Sequence, residues 1–476
     1  MRLDEVLAGL DVERVVGDAS IEVTDVVHDS RRVEPGALFC CVPGTHTDGH
    51  RHAREAVARG AVALLVQRPL PLDATQVVVA DARVQMAFAA AAFWGHPSRR
   101  LQVVGVTGTN GKTTTTWLLR AILESSGRPT GLIGTLGGPR TTPEATELQA
   151  TLAALVDDGA SAVAMEVSSH ALALARVEAT WFSMAVFTNL SREHLDFHES
   201  MEDYFAVKAR LFEGRRSAAA VVNLDDPHGR LLLESAEVPT TGYSLGDTSD
   251  IEVGLDACAG TWRGRRLHVP LGGAANLSNA LAAATVAVEL GVDVDAVVEG
   301  LASTPPVPGR YERIDAGQPF SVIVDYAHTP VALEQLLVAA RSGTSVDGDG
   351  AGRVVVVFGC GGDRDRAKRP LMGRVAASFA DVAVVTSDNP RSEDPRAIIE
   401  EVIKGAQGPG TVHVEPDRAA AIRLALGRAR PGDVVVVAGK GHETTQVVGT
   451  RSYDFDDREV VRTELIRLGL SEAPPR

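Results

Sequence analysis

The sequence predicts a three-part α/β protein: a small mixed α/β domain, a central parallel-sheet domain with a phosphate-binding loop, and a C-terminal Rossmann-like domain. Three observations predict it. Short apolar runs rich in valine alternate with stretches of helical spacing along the chain, the pattern of strands buried on both faces of a parallel sheet. Proline-marked seams at Gly95-His96-Pro97-Ser98 and Pro305-Pro306-Val307-Pro308-Gly309 interrupt that alternation twice. The 476 residues also exceed what one hydrophobic core organises, at roughly 100–200 residues per domain. The expected domains are residues 1–98, 99–308 and 309–476.

In the first part, Ile21 to Val27, Ala61 to Val66 and Gln76 to Val79 read as strands, and the region around His52 to Arg59 as a helix. The central part opens with the buried run Val103-Val104-Gly105-Val106, a glycine-rich turn and a helix from Thr113 to Ser125; Ala162 to Glu166, Met184 to Thr188 and Ala218 to Val222 are further buried strands. The last part repeats this texture with Val354 to Phe358, Val382 to Thr386 and Val434 to Ala438, a second doubly wound unit. Ser342 to Gly352, rich in Gly, Asp and Ser, reads as a mobile loop.

Composition narrows the function classes. Hydrophobic residues at 45% and charged residues at 23% are ordinary for a soluble chain, and no apolar run approaches the ~20 residues of a membrane span. A formal charge of −15 argues against nucleic acid as a partner, since phosphate backbones demand basic surface. The N-terminus carries Asp4 and Glu5 at once and lacks the basic start of an export signal, so a cytoplasmic protein is expected. Cys40, Cys41, Cys258 and Cys360 have no metal-ligand spacing and read as reduced thiols.

Chemistry concentrates at strand ends. Gly108-Thr109-Asn110-Gly111-Lys112-Thr113-Thr114 stands between a strand and a helix, where glycines admit backbone N–H groups to phosphate, Lys112 reaches the terminal phosphates and Thr113 can ligate Mg²⁺. The strict pattern wants glycine at Val106, a departure. Glu166, at the end of its strand, is placed to hold Mg²⁺, and His194, after another strand, to join it. Helical spacing puts Tyr204, Lys208, Leu211 and Phe212 on one face. Two arrangements are open to that lysine: a packed stem with its ammonium in water, or a buried amine able to add carbon dioxide and form a carbamate. In the last part, Arg364, the run Asp388-Asn389-Pro390-Arg391 and Gly439-Lys440-Gly441-His442-Glu443 follow three strands and suggest one edge that grips carboxylates.

These residues resemble the Mur ligases over essentially the whole chain. The marks are His28-Asp29-Ser30-Arg31, Gly108 to Thr113, Glu166-Val167-Ser168-Ser169-His170, Tyr204-Phe205 with Lys208, Asp325-Tyr326-Ala327-His328-Thr329-Pro330, Asp388 to Arg391 and Gly439 to Glu443. The resemblance implies an ATP-dependent, acyl-phosphate-forming ligase of peptidoglycan precursor synthesis. Its implied substrates are ATP, UDP-N-acetylmuramoyl-L-alanyl-D-glutamate and meso-diaminopimelate, with Mg²⁺ as cofactor and the chain acting as a monomer. It assigns His28, Ser30, Thr45, His46 and Thr47 to the UDP end, and Thr141, Thr142, Ser168, Leu174 and Arg176 to the muramoyl-dipeptide; Leu174 stands where relatives can carry a polar residue. It places Asn279, Arg310 and Asp325 on the nucleotide side, and a carbamate on Lys208 beside Mg²⁺ with Glu166 and His194. Arg364, Asp388, Asn389, Pro390, Arg391, Gly439 and Glu443 fall on the diaminopimelate side, where Arg391 favours a distal carboxylate over the ammonium of lysine. A lysine-adding relative, a folate-extending ligase and a non-enzymatic nucleotide switch are the other readings.

Overall fold

The computed structural model describes residues 1–44, 47–138, 140–344 and 352–470. Thr45, His46 and residues 345–351 of the expected loop lie outside them. No described helix is long and apolar enough to cross a membrane.

The first sheet has five strands in the order Arg14–Val16, Thr75–Val78, Ala63–Val66, Ala37–Cys40, Asp25–Val27, with only Arg14–Val16 antiparallel. The helix Ala82–Phe93 covers one face, its start fixed by Asp81, whose carboxylate accepts from Arg83 N and Val84 N. Cys40 and Cys41, like Cys258 and Cys360, are free and buried.

The central sheet has six parallel strands in the order Thr240–Tyr243, Ala220–Asn223, Met184–Phe187, Gln102–Thr107, Ala162–Glu166, Thr130–Ile133. Gln102–Thr107 lies inside because both its faces are apolar. Val104 and Val106 pack with Leu118, Leu119 and Ile122 of the helix Lys112–Ser125, while Val103 packs with Leu148, Leu152 and Phe182 on the other side. Val106 pairs in register with Glu166, which brings the phosphate loop and that carboxylate to one edge. A three-stranded antiparallel sheet, Thr248–Val253, Cys258–Trp262 and Arg265–Val269, follows.

The last sheet runs Glu312–Arg313, Ser321–Asp325, Val434–Ala438, Val354–Phe358, Val382–Val385, Thr411–Val414, parallel except for Glu312–Arg313. The three strands expected to carry the carboxylate-gripping residues are therefore immediate neighbours. A hairpin, Thr445–Val448 with Arg451–Asp454, stands beside them, joined by a bridge between Arg391 and Val448.

Behind that edge lies a fully buried pair. Arg418 donates to both carboxylate oxygens of Asp457 at 2.7 Å, and to Ala438 O at 3.0 Å and Ser387 O at 3.3 Å. It thus fastens the last helix, Asp457–Arg467, to the ends of two sheet strands. Replacing Asp457 by alanine strands the guanidinium without a counter-charge, and a loss of about 3–5 kcal/mol is expected in a urea unfolding curve; a change below about 1 kcal/mol would show that the pair holds nothing together.

Candidate active site

The phosphate loop is built by backbone that only glycine follows. Gly108 has φ +149° and Gly111 φ +87°; a Cβ on Gly108 would lie 1.9 Å from Thr188 Oγ1, and one on Gly111 2.3 Å from Asn279 Oδ1. The end of the neighbouring strand clamps the loop: Thr109 N donates to Asn189 O (2.9 Å), Asn110 N to Asn189 Oδ1 (3.0 Å), and Asn189 Nδ2 to Asn110 O (3.1 Å). Val106, where the strict motif has glycine, is a buried strand residue, so the sharp turn begins only at Gly108. Thr114 is buried in the first turn of the following helix.

Two lysines converge on this loop. Lys112 Nζ donates to Gly108 O and Thr109 O, both at 2.8 Å, and Lys208 Nζ donates to the same Gly108 O at 2.9 Å. Lys208 is 1% exposed, and its Nζ lies 4.5 Å from the centre of the Tyr204 ring. Tyr204 in turn shares a hydrogen bond with Thr109 Oγ1 (3.2 Å). Of the two arrangements open to Lys208, the packed stem with its ammonium in water is thereby excluded. Burial, reinforced by Lys112, holds Lys208 well below the usual lysine range, and burial brings Lys112 down to about 8.

Glu166, buried at its strand end, accepts from Thr113 Oγ1 (3.0 Å), Thr135 N (2.8 Å) and Thr135 Oγ1 (3.2 Å). His194 has φ +57°, and its ring meets that of His170 edge-on at 4.8 Å. Burial, then the neighbouring His170 and the two lysines, pull His194 to about 2, so the imidazole is neutral and able to act as a ligand. From across the second proline seam, Arg310 Nη2 donates to Thr113 Oγ1 at 3.2 Å while its guanidinium lies 4.2 Å over the Tyr326 ring. Asp325 accepts from Tyr311 N (2.6 Å) and Ala327 N (2.7 Å), and Asn279 Oδ1 lies 3.5 Å from Thr115 Oγ1.

Of the expected dipeptide residues, Thr141, Thr142, Ser168 and Arg176 form one network, and Leu174 stands outside it. Thr142 Oγ1 donates to Glu166 O (2.8 Å) and accepts from Ser168 N (3.1 Å), and Arg176 Nη1 donates to Thr142 O (3.1 Å) while pairing with Glu144 (2.9 Å). Thr141 reaches Thr135 at 3.1 Å, and Leu174 N donates to His170 O at 2.8 Å. Residues of the first sheet make their own contacts instead: Ser30 Oγ to Glu55 (3.3 Å), Thr47 Oγ1 to His52 (3.1 Å), and His28 Nδ1 to Thr146 Oγ1 (2.8 Å), the last crossing to the central part.

On the last sheet, Arg391 sits at φ +52°, its N donating to Val447 O (3.0 Å) and its Nη1 to Gly362 O (2.7 Å). Burial lowers its pKa, and the nearby Arg364 pushes the same way; the two side chains flank Gly361, where a Cβ would lie 2.9 Å from Arg391 Nη1 and 3.7 Å from Arg364 Cγ. Arg364 is exposed and donates to Asp363 O at 3.0 Å. Asn389 Nδ2 donates to Glu443 Oε2 (2.8 Å), and Asn389 N to Asp388 Oδ1 (2.6 Å). Gly439 has φ +115°, with Asp388 Oδ2 2.7 Å from where its Cβ would be, and Pro390 O lies 1.8 Å from a Cβ placed on Gly362.

Sequence reasoning missed what joins these edges. Lys368 Nζ donates to Glu193 Oε1 at 3.2 Å with both side chains buried, and Arg192 pairs with Asp365 at 3.3 Å. Burial raises the Glu193 carboxyl. The only signals were membership of the run around His194 and of the basic cluster Arg364 to Arg369; no spacing connects positions 175 residues apart.

Three family models match the chain in succession. Residues 22–94 match the model for the Mur ligase family, catalytic domain, residues 106–287 the Mur ligase middle domain, and residues 309–441 the Mur ligase, glutamate ligase domain. The chain is 44% identical to the UDP-N-acetylmuramoyl-L-alanyl-D-glutamate--2,6-diaminopimelate ligase of Syntrophomonas wolfei, covering 98% of this chain and 99% of that one. It is 46% identical to the protein of that name from Streptomyces coelicolor, covering 94% and 93%. A solved structure of a UDP-N-acetylmuramoyl-L-alanyl-D-glutamate--2,6-diaminopimelate ligase superposes with TM-score 0.68 at 32% identity over 98% of this chain and 99% of that one. The ADP complex of the MurF ligase of Thermotoga maritima, 20% identical with TM-score 0.67 over 94% and 97%, shares the fold.

Two half-buried histidines of the last domain, His328 and His442, set an acid limit. Burial pulls His328 to about 3 and His442 to about 4, against roughly 6.5 in an unfolded chain. The unfolded state then binds protons that the folded state refuses, so their contribution is fully present above about pH 6.5 and lost as pH falls below it. His328→Gln and His442→Gln should each shrink the drop in Tm between about pH 7.5 and pH 5; an undiminished drop in both variants would contradict the assignment.

Proposed function

The chain belongs to the Mur ligase family, and from that premise we propose that its three large sheets bring a nucleotide-sugar peptide, ATP and a doubly acidic amine together in one reaction. It is an ATP-dependent ligase that joins meso-2,6-diaminopimelate to the γ-carboxylate of D-glutamate in UDP-N-acetylmuramoyl-L-alanyl-D-glutamate, in peptidoglycan precursor synthesis. The observation that carries the choice of amine is Arg391, half-buried beside Arg364 at the end of the last sheet. A distal carboxylate meets both guanidinium groups there, whereas lysine would turn its ammonium toward them.

A γ-carboxylate oxygen of the D-glutamate attacks the terminal phosphorus of ATP, ADP leaves, and an acyl phosphate remains. The amine nitrogen then attacks the carbonyl carbon, the carbon–oxygen bond to phosphate breaks, and the amide forms with loss of a proton and inorganic phosphate. The chain's own residues position and neutralise charge. Lys112, folded onto the carbonyls of Gly108 and Thr109, turns to the terminal phosphates when the triphosphate seats on Gly108 to Thr114. Arg310, already at Thr113, lies where charge builds during transfer, while Asn279 and Asp325 line the nucleoside side. Thr141, Thr142, Ser168 and Arg176 hold the dipeptide next to Glu166, with His28, Ser30 and the turn containing Thr47 toward the uridine end.

Thr113, Glu166, His194 and a carbamate on Lys208 would hold Mg²⁺, which when bound shields the phosphate charge. The donors fit: the Thr113 hydroxyl and the Glu166 carboxylate are hard oxygen ligands 3.0 Å apart. The carbamate forms when the neutral Lys208 Nζ adds to the carbon of carbon dioxide and releases a proton. Its burial beside Lys112 supplies the neutral amine that this addition needs. On this reading the enzyme works in the cytoplasm, as a monomer.

Incubation with ATP, Mg²⁺ and UDP-N-acetylmuramoyl-L-alanyl-D-glutamate, offering meso-diaminopimelate and L-lysine in competition, should give the diaminopimelate product in large excess by mass spectrometry, with one phosphate released per product. Preferential incorporation of lysine would overturn the assignment of Arg391. Phosphate release with no amide product would return the chain to a nucleotide-binding role.

A further inference from the structure

Lys440 is a buried charge, within the motif that carries Glu443, that the reaction just described does not use. It is fully buried, and its ammonium spends all three donors inside the protein: on Thr445 O at 2.6 Å and Glu443 Oε2 at 3.0 Å of its own loop, and on Asn389 Oδ1 of a neighbouring strand end at 3.3 Å. A lysine whose stem merely packed would send its ammonium to water. This one points inward, at the two side chains assigned to the amine substrate.

The consequence is an orientation of both partners. Asn389 Oδ1 also accepts from Val447 N at 2.9 Å, and a backbone N–H cannot accept, so the amide oxygen must face Lys440 and Val447. Its nitrogen therefore faces the opposite way, giving one hydrogen to Glu443 Oε2 at 2.8 Å and keeping the second. Glu443 Oε2 is consumed twice, by Lys440 and Asn389, while among the described residues Oε1 accepts no hydrogen bond and the side chain is 30% exposed. What is left uncommitted among the described residues is thus one amide N–H donor and one carboxylate oxygen. An α-amino acid end needs that set: donors for its carboxylate and an anionic acceptor for its ammonium.

Resting on the diaminopimelate reading above, we infer that Lys440 is a positioning residue for amine recognition, fixing the Asn389 amide and one oxygen of Glu443 so that the site reads the distal amino-acid end of the substrate. It touches no substrate itself. Without it the Asn389–Glu443 pair is free to rotate and the buried oxygen of Glu443 lacks its counter-charge.

The test is steady-state kinetics of the full-length enzyme carrying Lys440→Met, similar in length and uncharged. The KM for diaminopimelate should rise about tenfold or more, with the KM for ATP and for the UDP-dipeptide within about twofold of the unaltered enzyme. In a Glu443→Gln background the same substitution should change that KM far less, because the two residues act as a unit. An unmoved diaminopimelate KM, equal rises for all three substrates, or full additivity with Glu443→Gln each overturn the inference. Should Lys440→Met fail to fold, Lys440→Arg decides: its flat fork cannot replace a compact ammonium on which three acceptors converge, so a raised diaminopimelate KM with ATP unaffected supports the role, and an unchanged one overturns it. Absence of diaminopimelate product from the unaltered enzyme would instead overturn the substrate reading, and this inference with it.

Discussion

One carbonyl oxygen, that of Gly108, receives two lysine side-chain nitrogens, Lys112 at 2.8 Å and Lys208 at 2.9 Å, and the rest of the site is arranged around that crowding. Two cations out of water and close together are unfavourable unless anions join them or one gives up its proton. The lowered pKa of Lys208 is the second response. The first is what the proposed reaction supplies: a triphosphate for Lys112, and a carbamate that turns Lys208 from a repelled cation into a carboxylate. Gly108 makes the approach possible, since any side chain there would run into Thr188.

The same logic separates the substrates. The parallel strands of the central sheet end at the phosphate loop, Glu166 and His194; those of the last sheet end at Arg364, Asp388 to Arg391 and Gly439 to Glu443. Phosphate chemistry needs one concentration of positive charge and carboxylate recognition another, and two sheet edges supply them without mutual repulsion inside one core. What holds the edges facing each other is largely buried charge: the Glu193–Lys368 pair, with Arg192–Asp365 at its rim and Arg310 reaching back to Thr113. Glu193 immediately precedes His194, so the contact between the last sheet and the central one lies directly beside the phosphate site.

Much of this was legible in the residues. Strands buried on both faces announce themselves as valine runs, and Ala162–Glu166, Val354–Phe358 and Val434–Ala438 span the ranges that pattern indicates. The antiparallel strands Thr248–Val253, Cys258–Trp262 and Arg265–Val269 were not seen, because half-exposed strands interleave polar residues and their hydrophobic runs break up. The hairpin that fixes Arg391 escaped for the same reason; its strands are largely exposed. Helical spacing placed Lys208 on the apolar face but not under cover, since cover comes from the phosphate loop about a hundred residues earlier. Lys440 stood in plain view within a motif, yet its importance lies in ties to Asn389, 51 residues away, and to Glu443 at once, which only the folded chain brings together.

The crowding at Gly108 makes one demand that can be observed without turnover. Carbon-13 NMR of the full-length protein equilibrated with labelled bicarbonate should show a protein-bound carbamate resonance that is absent from Lys208→Ala. A spectrum of the unaltered protein with no such resonance, at a bicarbonate concentration that supports full activity, would mean that Lys208 stays an amine and that the charge balance proposed for this site is wrong.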